Sequence, residues 1–82
     1  MSLRAYKTES ASNAGTAQSG ATTSITLANA ASTTDDIYNV QTISLLTGTG
    51  AGQSAVITDY VGSTRVATAS FSTAPDSTTT YS

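Results

Sequence analysis

Hydrophobic side chains in this chain recur at every second position and nowhere settle into a helical stripe. Thr23, Ile25 and Leu27 alternate with Thr22, Ser24 and Thr26, the period-two signature of a strand with one buried face. A second strand is expected from about Gln41 to Thr47, with Ile43 and Leu45 on one face and Leu46 on the other. A third runs from about Ser54 to Tyr60, with Val56 and Tyr60 opposite Ala55 and Ile57. A fourth sets Arg65, Ala67, Ala69 and Phe71 against Thr64, Val66 and Thr68, and a short last strand spans about Thr78 to Tyr81. Turn chemistry separates these runs. Asn29 to Asp36 is a polar connection in which Asp35 and Asp36 suit turn caps. Val61-Gly62-Ser63 suits a tight hairpin with Gly62 free to take positive φ. Ala74-Pro75-Asp76 is a turn, because proline fixes its own φ and pushes the preceding residue out of the helical region. The Ala-rich stretch Ala28 to Ala31 is too short to stand as a helix. The pattern therefore predicts an all-β fold, a small antiparallel β sandwich or barrel-like meander of about five strands over residues 22–82. Residues 1–21 lack apolar periodicity and read as an extended N-terminal arm, with Leu3 and Tyr6 as its large apolar side chains. Those two either dock on a neighbour or are simply exposed.

Composition sharpens this picture. Ser and Thr make up 30 of the 82 residues, and Thr fits a pleated surface because its branched Cβ favours extended backbone. Ile, Leu, Val and Phe together number only 13, a scarcity that goes with disorder when net charge is high. The net charge is only −2, so self-repulsion does not hold the chain open. Burial stabilises by ~25 cal/mol per Å² against ~1.5 kcal/mol of ordering entropy per residue. So few bulky aliphatic groups imply added stability from copies of the chain or from a larger partner.

Several chemistries are disfavoured. Arg4, Lys7 and Arg65 are the only basic residues, too few to neutralise a run of phosphates, so no nucleic-acid partner is expected. No apolar run approaches the ~20 residues of a membrane span, and Met1 to Lys7 lacks the apolar stretch of a signal peptide, which points to synthesis in the cytoplasm. Without Cys or His there is neither a disulfide nor the usual kind of zinc site, and no cofactor or metal is expected. The loop Gly48-Thr49-Gly50-Ala51-Gly52-Gln53-Ser54 suggests a phosphate cradle only superficially. It lacks the Lys of a Walker loop, and Gln53 stands where a dinucleotide fingerprint needs its third Gly. Asp35, Asp36, Asp59 and Asp76 do not follow the spacing of a calcium loop. Hydroxyl nucleophiles abound but have no His to activate them, so the chain does not read as an enzyme. Tyr38, Tyr60 and Tyr81 are expected to pack at sheet edges or subunit contacts with their hydroxyls outward, the alternative being platforms for stacking a sugar.

One resemblance goes further. Its carrying residues are Gly15-Thr16-Ala17-Gln18-Ser19-Gly20, Thr23 to Leu27, and Asp36-Ile37-Tyr38-Asn39 leading into Gln41-Thr42-Ile43. After these come Thr47 to Gln53, Val56-Ile57-Thr58-Asp59-Tyr60, Gly62 to Thr68, and Phe71 to Tyr81 with its Thr73-Ala74-Pro75-Asp76 turn. Over about four fifths of the chain this resembles a pattern of tailed-bacteriophage virion structural proteins found in head and tail components. Val40 stands where such sequences often carry Gly, and Ala69 where Val is usual. The resemblance implies a capsid decoration (cement) protein, a small module and homotrimer that binds the major capsid protein on the virion surface after synthesis in the host cytoplasm. Its expected partner-binding residues are Leu3, Arg4 and Tyr6 of the arm, with Tyr38, Tyr60 and Tyr81. A length of 82 residues favours that role over a fibre. The alternatives are a tail or fibre adaptor and a surface carbohydrate-binding module.

Overall fold

The alternating segments form strands in the computed structural model, which describes residues 13–82. The strands are β1 (Gly15–Thr16), β2 (Ser19–Ala21), β3 (Ser24–Thr26), β4 (Thr42–Thr47), β5 (Ser54–Val56), β6 (Asp59–Val61), β7 (Val66–Thr68) and β8 (Thr80–Tyr81). They build two four-stranded antiparallel sheets, sheet I in the order β1-β8-β4-β5 and sheet II in the order β2-β3-β7-β6. The all-β sandwich expected from the pattern is the observed fold, with eight short strands where about five were expected.

Two of the extra strands lie within residues 15–21, the stretch that the apolar pattern assigns to an arm. The remaining additional strand arises because the run Ser54 to Tyr60 is not one flat strand. It changes sheet at Ile57-Thr58, and β1 and β2 change sheet in the same way at Ala17-Gln18. Successive N–H groups of an extended chain point to opposite sides, and both corners use this. Ala17 N–H donates to Thr79 O beside sheet I (2.8 Å) and Gln18 N–H to Thr26 O in sheet II (2.9 Å). Ile57 N–H donates to Gln41 O (2.8 Å) and Thr58 N–H to Thr68 O (2.9 Å). Corners of this sort are how strands pass between packed sheets. Because β1 and β5 are the outer strands of sheet I and β2 and β6 those of sheet II, the two corners carry the chain from one sheet to the other at both edges of the sandwich, which gives it a barrel-like form.

Inside, small and large side chains alternate across the strands. The inner row of sheet II reads Gly20, Ile25, Ala67, Tyr60. In sheet I, Gly15 and Leu45 both lie beside Tyr81. The core comprises four Ala, three Ile, two Leu, Phe71 and three Tyr, so the aromatic rings supply the bulk that the aliphatic count lacks. Thr79 is fully buried among them, with its hydroxyl donating to Thr49 O (2.6 Å) and accepting from Asp76 N–H (3.0 Å), as burial of a polar group requires.

Turns differ from the expected chemistry at three points. Gly62 is not at positive φ; in the loop between β6 and β7 that role falls to Arg65 (φ 59). Gly62 is needed for space instead, because a Cβ there would run into the Thr33 carbonyl. Asp35 caps the Gly62 N–H (2.8 Å) rather than its own turn, tying the long β3–β4 connection to the β6–β7 loop. The turn expected at Ala74-Pro75-Asp76 falls on Ser77-Thr78 instead: Thr79 N–H donates to Asp76 O (3.0 Å), and the Asp76 carboxylate accepts from Thr78 N–H (2.9 Å) and Thr78 Oγ1 (2.6 Å).

Candidate functional site

The three tyrosines expected at partner contacts are core residues. Tyr38, Tyr60 and Tyr81 are all buried, and Tyr38 and Tyr60 pack edge to face with ring centroids 4.7 Å apart. Their hydroxyls serve backbone groups of the β3–β4 connection. Tyr60 donates to Ser32 O (2.5 Å), Tyr38 accepts from Ser32 N–H (3.0 Å), and Tyr81 accepts from Ala28 N–H (2.9 Å) while donating to Asn13 Oδ1. Burial holds the Tyr60 hydroxyl above the ordinary tyrosine pKa, with Tyr38 adding to the shift and Arg65 opposing it; burial also raises Tyr81, against the Ala28 N–H bond. The expectation of outward-facing hydroxyls is therefore corrected, and no tyrosine ring among the described residues offers the flat exposed face that sugar stacking needs. The scarcity of aliphatic side chains explains the difference, since a small barrel short of Leu and Ile fills its centre with rings. Leu3, Arg4 and Tyr6 lie outside the described residues.

The glycine-rich loop is structural. Gln53 uses its whole amide within the fold: Nε2 donates to Gly50 O and Thr73 O (2.9 Å each), and Oε1 accepts from Ser72 N–H (2.7 Å) and Thr73 N–H (3.1 Å). Gly48, Gly50 and Gly52 take positive φ around it. The carboxylates of Asp35 and Asp76 are likewise occupied with backbone N–H groups. Hydrogen bonds from the Thr78 hydroxyl, the Thr78 N–H and the Thr49 hydroxyl hold the Asp76 carboxyl below its usual range. Among the described residues no three His, Cys, Asp or Glu side chains gather as metal ligands would.

What distinguishes one region is the end of the barrel where β4 begins. A half-open cavity of about 150 Å³ lies there, lined by Leu27, Tyr38, Ile43, Ile57 and Tyr81 and by the polar residues Asn13, Gln41, Thr42 and Ser82. Val40 is 78% exposed and Val56, paired with Thr42, is 51% exposed. Val40 also has φ 63, an outlier for a β-branched residue; its N–H is held on Ile57 O (2.7 Å). Its two neighbours carry buried amide atoms without partners among the described residues, Asn39 Oδ1 and Gln41 Nε2. Strain, unsatisfied polar atoms and an exposed apolar side chain thus coincide in the segment Asn39-Val40-Gln41 next to the cavity, the kind of local rule-breaking that clusters at functional sites. The resemblance touches this place through the Gly that Val40 replaces, but only the structure adds the cavity and the orphaned amides. Leu46, 54% exposed, lies further along β4, where the pairing with β8 shifts register between Leu45 and Thr47. No protein-family model, curated protein or solved structure matches the chain.

Proposed function

We propose that this protein is a structural component of a tailed-phage virion, a decoration protein that docks on the major capsid protein. The observation that carries the reading is the coincidence of exposed Val40 and Val56 with a strained, under-satisfied segment on an otherwise hydroxyl-rich barrel. The exposed apolar side chains mark the contact, so docking is face-on, through the surface around Val40, Thr42 and Val56. Leu3, Arg4 and Tyr6 of the N-terminal segment are proposed as further contacts, and the docked unit as a trimer. No reaction is involved. The role is mechanical, reinforcement of joints between capsid subunits by buried surface.

Purified virions test this directly. The expected result is a copy number in step with the major capsid protein and cross-links from that surface to it. A copy number matching the tail symmetry would replace decoration with the adaptor role, and absence from particles would end the virion reading. Val56→Asp is expected to leave the isolated barrel folded, because the position is exposed, and to strip the protein from particles. Removing residues 1–10 tests the N-terminal contacts separately: unchanged occupancy would rule them out.

A further inference from the structure

We propose that the cavity at the β4 end of the barrel receives one apolar side chain of a partner protein, of phenyl or isobutyl size, with the adjoining main-chain carbonyl bound by Gln41 Nε2. The inference deepens the docking role and rests on it. Three independent features point to this occupant.

The first is size and lining. A cavity of about 150 Å³ matches the space that holds a benzene-sized group, and Leu27, Ile43, Ile57 and the two rings of Tyr38 and Tyr81 supply its apolar lining, with Asn13 and Ser82 beside Gln41 and Thr42 supplying a polar part. The second is the amide. Gln41 Nε2 is buried without an acceptor among the described residues, so turning it toward the cavity breaks no hydrogen bond with them, while an entering carbonyl supplies the bond it lacks. A peptide presents an apolar side chain and a carbonyl together, which a simple hydrocarbon does not. The third is the pair of exposed valines. Val40 and Val56 are chain neighbours of the lining residues Gln41 and Ile57, with Val40 N–H donating to Ile57 O and Val56 paired with Thr42, and both are exposed, so they offer apolar surface beside the cavity. The arrangement is that of an interface anchor, a single buried residue in a pocket surrounded by groups that exclude water.

The full chain, isolated, is titrated with N-acetyl-phenylalaninamide and with benzene, following the methyl signals of Leu27, Ile43 and Ile57 by NMR. The amide probe is expected to give saturable shifts with a Kd of about 1 mM or lower. Gln41→Met, which keeps the bulk and removes the donor, is expected to weaken the amide probe about fivefold and to leave benzene unchanged. Thr42→Trp, at an exposed position, is expected to block the opening and abolish both, and serves as the test should the Gln41 variant not fold. Absence of saturable shifts with the amide probe overturns the proposal, as does equal affinity in wild type and Gln41→Met. The assay does not depend on virions: a chain that joins particles yet ignores the probe refutes the pocket alone, whereas one that binds the probe yet is missing from particles upholds the pocket and refutes the capsid partner.

Discussion

Val40 and Tyr60 show how single residues carry this fold and where they work against it. A β-branched side chain in the left-handed region costs roughly 1–2 kcal/mol, and Val40 bears that cost while exposing most of its surface. Val40→Asn, which tolerates positive φ without glycine's extra chain entropy, is expected to raise stability by about 1 kcal/mol in urea melts while reducing particle occupancy. A gain in stability with no loss of occupancy would mean the valine has no docking role. Tyr60 is the opposite case, a polar tip satisfied deep in the core. Its folded pKa is raised by burial, so its contribution is fully present below pH ~10, where tyrosine ionises in the unfolded chain, and is lost as pH rises further. Stability is therefore expected to fall from about pH 10 upward, and Tyr60→Phe to lower stability by about 1 kcal/mol at neutral pH and to flatten the alkaline decline. An unchanged alkaline slope in Tyr60→Phe would show that Tyr60 is not its source. That these rings would be core was not legible from residue type: Tyr suits a surface or an interface as well as an interior, and only the count of missing aliphatics hints that the barrel must fill itself with rings.

At the scale of elements, the strands that alternation announced are those whose inward positions carry bulk. Ile25 and Leu27, Ile43 and Leu45, and Ala67, Ala69 and Phe71 all point inward as the pattern predicts. β1 and β2 left no such mark. Gly15, Ala17 and Gly20 occupy the inward positions, and their smallness is itself a packing requirement: Pro75 sits where a Cβ on Gly20 would go, and Ala28 and Tyr81 crowd Gly15. Nor did alternation foresee the phase change at each corner, where Thr58 and Asp59, like Gln18 and Ser19, are exposed in succession before Tyr60 and Gly20 turn inward. The Gln53 clamp was equally hidden, because a polar residue after glycines reads as loop whether or not its amide holds two segments together. Gln53→Ala strands the N–H groups of Ser72 and Thr73 and the carbonyls of Gly50 and Thr73. With several bonds lost at a partly exposed site, a destabilisation of about 2 kcal/mol is expected in chemical denaturation. A change within ±0.5 kcal/mol, the range of an ordinary surface substitution, would show that water replaces the clamp without cost.

For the whole molecule, the two corners are the property from which the rest follows. The aliphatic count argues that the chain leans on neighbours, yet the fold gains inward bulk from three Tyr and Phe71 and joins the outer strands of the two sheets through the corners at Ala17-Gln18 and Ile57-Thr58. Which of these dominates is decided by cutting the chain on either side of β1. Removal of residues 1–12 leaves Asn13, the acceptor of the Tyr81 hydroxyl, and both strands of the first corner, so cooperative melting is expected to persist with little change in midpoint. Removal of residues 1–21 deletes β1 and β2 together. That uncovers β8 in sheet I and β3 in sheet II at once, empties the Ala17 position of the core, and takes away the surface on which Pro75 packs. Two newly exposed strand edges on a chain with so little charge are an aggregation template. The longer truncation is expected to lose its cooperative transition and to aggregate, as circular dichroism melts with light scattering would register. A longer truncation that still melts as a soluble, cooperative unit would mean that the sheets stand independently and that the corners are incidental to stability. Were the shorter one to collapse as well, the first twelve residues would be part of the folded unit rather than free to engage a partner.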